Sequence, residues 1–455
     1  MRFPQAFLHE IKDRLTLSDV VGQRVTLQRA GHAFKACCPF HDEKTPSFTV
    51  NDTKQFYHCF GCGAHGDVIA FVMAYDHLSF PEAVKMLAAQ AGLQLPGQSP
   101  QDIKHARERE TLHHLLEDAA GWFHARLADP DHRHALRYLG ERGVTAEQIE
   151  AFRLGYAPPD GRLLRQYLQD CGYRVQDTIA AGVMQRSTRT GKVYCPFRDR
   201  IIFPIADRRE RVVAFGGRLL PAHLRSPPDR TTTYTPPKYL NSGETPLFHK
   251  GRMLYGEAQA RHALAHARPL TVVEGYTDVL ACHRAGFAAV APLGTALSEE
   301  QILRLWQMIP DTQKVPVLCF DGDAAGKRAA QNACEKMLPL LKPHRSARFA
   351  FLPPGDDPDT LIAGQGRAAF QGVLDHAIAL DQYLWRLHTA GQRFETPEAR
   401  AGLEESLHQA AETIQDDTVR HYYREALDGK LRHFFTSGSD PRLQKHFAAS
   451  MKLAP

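Results

Sequence analysis

No stretch of this 455-residue chain approaches the roughly 18 uninterrupted apolar residues of a membrane-crossing helix, which excludes a helical membrane protein. The opening MRFPQAFLHEIKDRL lacks the apolar block and small-residue cleavage site of a secretory signal, so a cytoplasmic chain is expected. Cysteine is sparse and odd in number. Of the nine, Cys37, Cys38, Cys59 and Cys62 lie close together and the rest are scattered, which argues against a disulfide framework and for one metal site in a reduced compartment. There is no internal repeat and no low-complexity segment. Net charge is only +5, so the total says little about partners, but its distribution does. Residues Arg186 to Arg252 hold 14 Lys+Arg against 5 Asp+Glu, whereas Leu270 to Thr360 hold 9 against 11. A basic stretch precedes an acidic one.

The length suits about three domains at roughly 150 residues each. Residues 1–95 open with a helix and continue through short β-like runs (VTLQ, HAFKA, PSFTV, KQFYH) to a helix that Ser79 and Glu82 begin as a capping box. Residues 96–110, rich in Pro, Gly, Ser and charge, read as a linker. Residues 111–265 read as a mixed α+β basic region, with RIIFPIAD and RVVAFGGRL flanking a turn at Arg208 to Glu210. Between 266 and 365, four apolar runs (LTVVEG, AAVAPLG, VPVLCFDGD, RFAFLPP) alternate with helical patterns, which predicts a parallel α/β sheet with crossover helices. Residues 366–435 read as helical, and 436–455 as a loose tail. The expected fold class is thus multidomain α+β.

Cys38-x2-His41 and Cys59-x2-Cys62, separated by 17 residues, form two knuckles whose four ligands fill a zinc tetrahedron. No position is left for water, so one structural Zn²⁺ is expected. Cys37 breaks the spacing and reads as a packed neighbour. Around the knuckles Lys35, Lys44 and Lys54 interleave with Phe48, Phe56, Tyr57 and Phe60, a composition that suits single-stranded nucleic acid, although about half of these aromatics are expected to be the ribbon's own core.

Glu274 ends LTVVEG, and Asp321 and Asp323 end VPVLCFDGD, so a parallel sheet delivers all three to the C-terminal edge of its strands, where open α/β sheets bind ligands. Gly275, Gly322 and Gly326 let the backbone turn away. Asp278 follows Glu274 by one helical turn, and Asp356, Asp357 and Asp359 follow a fourth strand. Hard oxygen ligands of this kind suit a pair of Mg²⁺ ions engaged in phosphoryl transfer. Each element alone would be a solvated turn; the set together points to metal-dependent chemistry on phosphates. Arg198, Arg200, Arg218, Lys238 and Lys250 in the basic stretch suggest a phosphate-binding track beside it.

At CPFHDEKTPSFTV with FYHCFGCGAHGD, FRDRIIFPI, FGGR, PKYLNS, FHKG, VVEGYTDV, FDGDAAG and DDPDTL, the chain closely resembles the bacterial DnaG-type DNA primases, from the first helix to about residue 430. The resemblance implies an N-terminal zinc ribbon that helps choose the template start site, a TOPRIM catalytic domain at 266–365, and synthesis of short RNA primers on single-stranded DNA from ribonucleoside triphosphates. It further implies that Glu274, Asp321 and Asp323 hold two Mg²⁺, with Mn²⁺ as a substitute, and that Asp278, Asp357 and Asp359 support them. Arg198, Arg200, Lys238, Asn241 and Lys250 would face nucleotide or template. Thr277 replaces the Met commonest in E-G-Y-M-D, and the run Pro221 to Pro237 is longer than usual. Family members continue into a helical domain that binds the replicative helicase, and that segment is absent here, so the chain is either shortened or a natural short form. The expected state is a monomer. A plasmid or mobile-element primase remains an alternative context. A TOPRIM topoisomerase or nuclease is a lesser one, since strand passage needs a catalytic tyrosine in a domain for which there is no long segment. A degenerate DNA-binding relative would lack the carboxylates, all of which are present.

Overall fold

The computed structural model describes residues 3–31, 33–95, 100–225, 236–264, 269–294 and 296–437. Two compact units divide between Glu108 and Arg109. Of the predicted linker 96–110, residues 96–99 lie outside the described residues, and the rest, where the two units divide, is helical as the start of Pro100–Ala128. The reason is local: Pro opens a helix without losing a useful N–H, and the dense Glu, Arg and Ala that follow are strong helix formers. The expected tail beyond 437 also lies outside the described residues.

The first unit is a five-stranded antiparallel meander in chain order, Gln28–Ala30, Ala33–Ala36, Phe48–Asn51, Phe56–Cys59 and His65–Gly66. Its register sets Phe48 opposite Cys59, so the second knuckle begins where the strand ends. Phe48, Val50, Tyr57, Phe71 and Val72 close the core against the helices Val68–Tyr75 and Phe80–Gln90. The predicted Ser79/Glu82 capping box is formed.

In the second unit, the hairpin Arg200–Ala206 with Val212–Leu219 is flanked by Tyr239–Asn241 and Gly155–Ala157 in a four-stranded antiparallel sheet. Beside it stands a six-stranded sheet in the order Leu254–Tyr255, Ala289–Pro292, Thr271–Val272, Val317–Phe320, Arg348–Phe351, Ile378–Ala379. Its four central strands are parallel and its two edge strands antiparallel. The four predicted runs are the parallel core. Both edges come from outside 266–365, and Ile378–Ala379 interrupts a region read as wholly helical. The helices Leu380–Thr389, Pro397–Glu412 and Asp417–Ser437 then pack on the sheet through Leu380, Leu384, Leu403, Leu407 and Leu427.

The two sheets share a core that joins Phe203 and Ile205 to Tyr255, Tyr276 and Val279. Contact is close enough that a Cβ on Gly216 would stand 2.4 Å from the Tyr276 ring, so only glycine fits there. This seam positions the basic stretch against the acidic strand ends.

Candidate metal centre and nucleotide cleft

In the first unit Cys38, His41, Cys59 and Cys62 present ligand atoms all within 4.8 Å of one another. The sulfurs of Cys38 and Cys62 are 3.7 Å apart, and the sulfur of Cys59 is 3.8 Å from Nδ1 of His41. A tetrahedron with Zn–S bonds of about 2.3 Å has an S–S edge of about 3.8 Å, so three thiols and an imidazole fit zinc in chemistry and in size. Gly61 makes the second knuckle possible: a Cβ there would lie 2.7 Å from Nε2 of His41. Sequence reasoning missed Glu43. Its carboxylate accepts the Cys38 and Ser47 N–H groups at 2.6 and 3.1 Å, and one oxygen lies 3.4 Å from Nε2 of His41. That contact turns Nδ1 toward the site, as carboxylates behind metal-bound histidines do. The detectable signal was an acid two residues after the histidine.

Of the interleaved aromatics, Phe48 and Tyr57 are core, while Phe60 is 74% and Phe56 39% exposed. His58 packs on Phe60 with ring centroids 4.6 Å apart and on His65 at 6.0 Å. Lys35, Lys44 and Lys54 are exposed, as is Cys37, which takes no part in the site.

In the second unit, a cleft of about 860 Å³ is lined by the acids Glu274, Asp278, Asp321 and Asp357 and by Arg218, Lys238, Asn241 and Lys250. Glu274 and Asp321 meet directly, since the Asp321 N–H donates to the Glu274 carboxylate at 3.2 Å. Tight turns bring this about: a Cβ on Gly322 would lie 2.5 Å from two carbonyl oxygens, and one on Gly326 2.2 Å from the Asp321 carbonyl. Asp323 is exposed, and one of its oxygens caps the helix Ala324–Met337 by accepting from Ala325 and Gly326, both at 2.8 Å. Asp357 likewise caps Pro358–Asp375. Asp359 is buried and accepts from Arg142.

The carboxylates are short of countercharge. Burial, then Asp357, Asp321 and Asp359, push buried Asp278 up to about 8. Burial, then Glu274, Asp357 and Asp323, push Asp321 up to about 7. Glu274 is raised by burial and by Asp323, against the pull of the Asp321 N–H. One Asp321 oxygen is buried with no hydrogen-bond partner. An orphaned carboxylate oxygen among like charges is what a hard divalent cation satisfies, so the residues fit the metal that the motif implies.

The basic residues divide. Lys238 and Lys250 are exposed in the cleft. Arg218 is buried, donates to Tyr239 Oη at 2.6 Å and Thr277 Oγ1 at 3.1 Å, and so braces the seam. Asn241 donates to the Leu293 carbonyl at 2.8 Å and accepts from Tyr276 Oη at 2.6 Å, which helps to join the two sheets. Arg200 corrects the expectation of a phosphate-facing cation. It is 2% exposed and donates to the carbonyls of Gly217, Lys238 and Pro237, thereby shaping the turn that presents Lys238. Arg198 is exposed but lines a separate hollow with Arg162 and Arg165, outside the acidic cleft. Arg142 and Arg328, both lining the cleft, were missed.

A structural zinc site in one unit and a Toprim-like acidic cleft in the other define a class of enzymes that work on nucleic-acid phosphates. The chain matches the families described as CHC2 zinc finger (residues 3–102), DNA primase catalytic core, N-terminal domain (122–261) and Toprim domain (268–349). It is 40% identical to the DNA primase of Escherichia coli (strain K12) over 435 residues, covering 94% of this chain and 72% of that protein. The structure of a DnaG primase catalytic domain bound to single-stranded DNA superposes with a TM-score of 0.61 at 36% identity, covering 71% of this chain and 99% of the other. The Aquifex aeolicus primase, comprising zinc-binding and RNA polymerase domains, matches with a TM-score of 0.56 at 28% identity over 93% of this chain and 95% of that one. The chain belongs to the DnaG-type DNA primases. Among the described residues no helix is long and apolar enough to cross a membrane.

Proposed function

We propose that this primase joins ribonucleotides on a single-stranded DNA template in the acidic cleft, with Glu274, Asp321 and Asp323 holding two Mg²⁺ ions. The observation that carries the reading is the unsatisfied Asp321 oxygen beside Glu274, in one cleft with Lys238 and Lys250. When bound, the ions supply activation of the attacking 3′-hydroxyl and charge neutralisation on the leaving pyrophosphate. The chain's own part is positional. Asp278, Asp357 and Asp359 set the negative field that draws the ions in, and Arg142 steadies Asp359. Lys238 and Lys250 take the charge of the triphosphate and template, while Asn241, Tyr276 and Arg218 keep the two walls at a fixed separation. Arg198, outside the cleft, meets the template away from the reacting phosphate. On the ribbon, Phe56 and Phe60 are the rings exposed for base stacking near the start site.

The enzyme is read as a cytoplasmic monomer acting with a replicative helicase. The test is incorporation of labelled ribonucleotide on unprimed single-stranded DNA with Mg²⁺, comparing wild type with Glu274→Gln. Synthesis should vanish in the variant while template affinity stays within about twofold; retained synthesis would sink the assignment of Glu274.

A further inference from the structure

The helix Ala324–Met337 forms a cleft wall that the mechanism above leaves unused. Arg328 and Asn332 both line the cleft and both are exposed. They stand one turn apart on one face, about 6 Å along the axis, with Ala325, Ala329 and Ala333 keeping that face low. Arg142 and Arg218 are committed to Asp359 and to Tyr239 and Thr277. By contrast, Arg328 has no hydrogen-bond or ion-pair partner among the described residues. The helix starts at Asp323, so its polar positions recede from the carboxylates as it runs on. A triphosphate gathers around the metals it shares, whereas a row that recedes from them suits a strand continuing past the reacting phosphate. Template-directed synthesis brings two backbones together, and Lys238 and Lys250 line the cleft from segments other than this helix.

Resting on the proposed function, we propose that Arg328, with Asn332 beyond it, holds a backbone phosphate of the nascent RNA strand in the RNA–DNA hybrid. The pair would retain the product as it lengthens, and so help set primer length. One phosphate contact contributes a slope of about 0.9 in log affinity against log salt, roughly eightfold at 0.1 M.

The experiment measures binding of the full chain to a short RNA–DNA hybrid with a single-stranded template overhang, and to the template alone, across a salt series. Arg328→Ala and Arg328→Glu should weaken hybrid binding about eightfold or more, lower its salt slope by about one contact, and shift products shorter. Template-only affinity should change less than twofold, and Arg328→Lys should restore the slope. Equal losses on template and hybrid would assign Arg328 to the DNA strand and overturn the proposal. So would a raised KM for ribonucleotide with unchanged hybrid affinity, which marks a triphosphate contact, or no change in any of these quantities. Hybrid binding requires no catalysis, so the two readings fail separately: a wild type that binds hybrid but makes no RNA would sink the proposed function and with it the nascent-strand role, while leaving the measured Arg328 contact to hybrid standing.

Discussion

Replacing Asp321 by Asn should abolish synthesis and yet make the metal-free enzyme more stable. Burial first, and then Glu274, Asp357 and Asp323, raise the Asp321 carboxyl from 3.8 to about 7. At about 1.4 kcal/mol for each tenfold change in proton affinity, keeping it ionised at pH 8 costs the folded state at most roughly 4 kcal/mol. Asp321 is only half-buried, so water screens part of that cost and about 2 kcal/mol remains. Because the folded-state value is raised, the stabilising contribution is complete below about pH 4 and is lost as pH rises through 7. An unfolding entropy of about 2.1 cal/mol/K per residue, over the roughly 350 residues of the second unit, converts 2 kcal/mol into a Tm higher by about 3 °C. Calorimetry at pH 8 in buffer freed of Mg²⁺ but without chelator, which leaves zinc in place, should show that gain. It should narrow to under half at pH 5, and Mg²⁺ should raise the Tm of wild type more than that of Asp321→Asn. A variant that melts at or below wild type at pH 8 would refute the burial and like-charge repulsion of Asp321 on which the metal assignment rests.

Glu43→Gln should lower zinc affinity 10- to 100-fold in chelator competition by weakening the hold on His41, and an unchanged affinity would show that Glu43 serves only Ser47 and the Cys38 N–H. Arg200→Ala should cost about 3 kcal/mol in denaturant unfolding, because three carbonyls lose a buried charged donor, whereas Arg198→Ala should stay within about 0.5 kcal/mol and weaken template binding instead. Equal stability of the two variants would restore Arg200 to the phosphate track.

The heart of the acidic site is legible because Glu274 and Asp321 sit within two residues of a strand end and beside a glycine, so local rules place them. Glu274 and Asp321 needed only two parallel strands to meet, and the apolar runs announce those strands. What the sequence hides is whatever depends on distance along the chain. Arg142 and Asp359 are 217 positions apart, and nothing near either residue anticipates the other. Two-residue edge strands such as Leu254–Tyr255 and Ile378–Ala379 are too short to show periodicity, so the sheet's width is not readable. Arg328 carried a signal that was available: Ala325, Arg328, Ala329 and Asn332 repeat at helical spacing from the Asp-Gly-Asp turn. Arg200 misled for the opposite reason. It opens a strand buried along nearly its whole length, where alternation fails and a cation at the first position is drawn inward to bind carbonyls.

The cations in and behind the cleft follow a division that residue type explains. Arg142, Arg200 and Arg218 are fixed by carboxylate, carbonyl or hydroxyl acceptors, while Lys238 and Lys250 have no ion-pair partner among the described residues. A guanidinium offers five donors in a rigid fork, so it is suited to joining walls whose spacing must not change. An ammonium on four methylenes is a mobile point charge, suited to phosphates that shift as one bond forms and another breaks. In the proposed function, rigid arginines therefore hold the walls and flexible lysines follow the substrate. Arg328 breaks this pattern by being an arginine without an acceptor among the described residues, and a backbone phosphate of the nucleic acid would supply one.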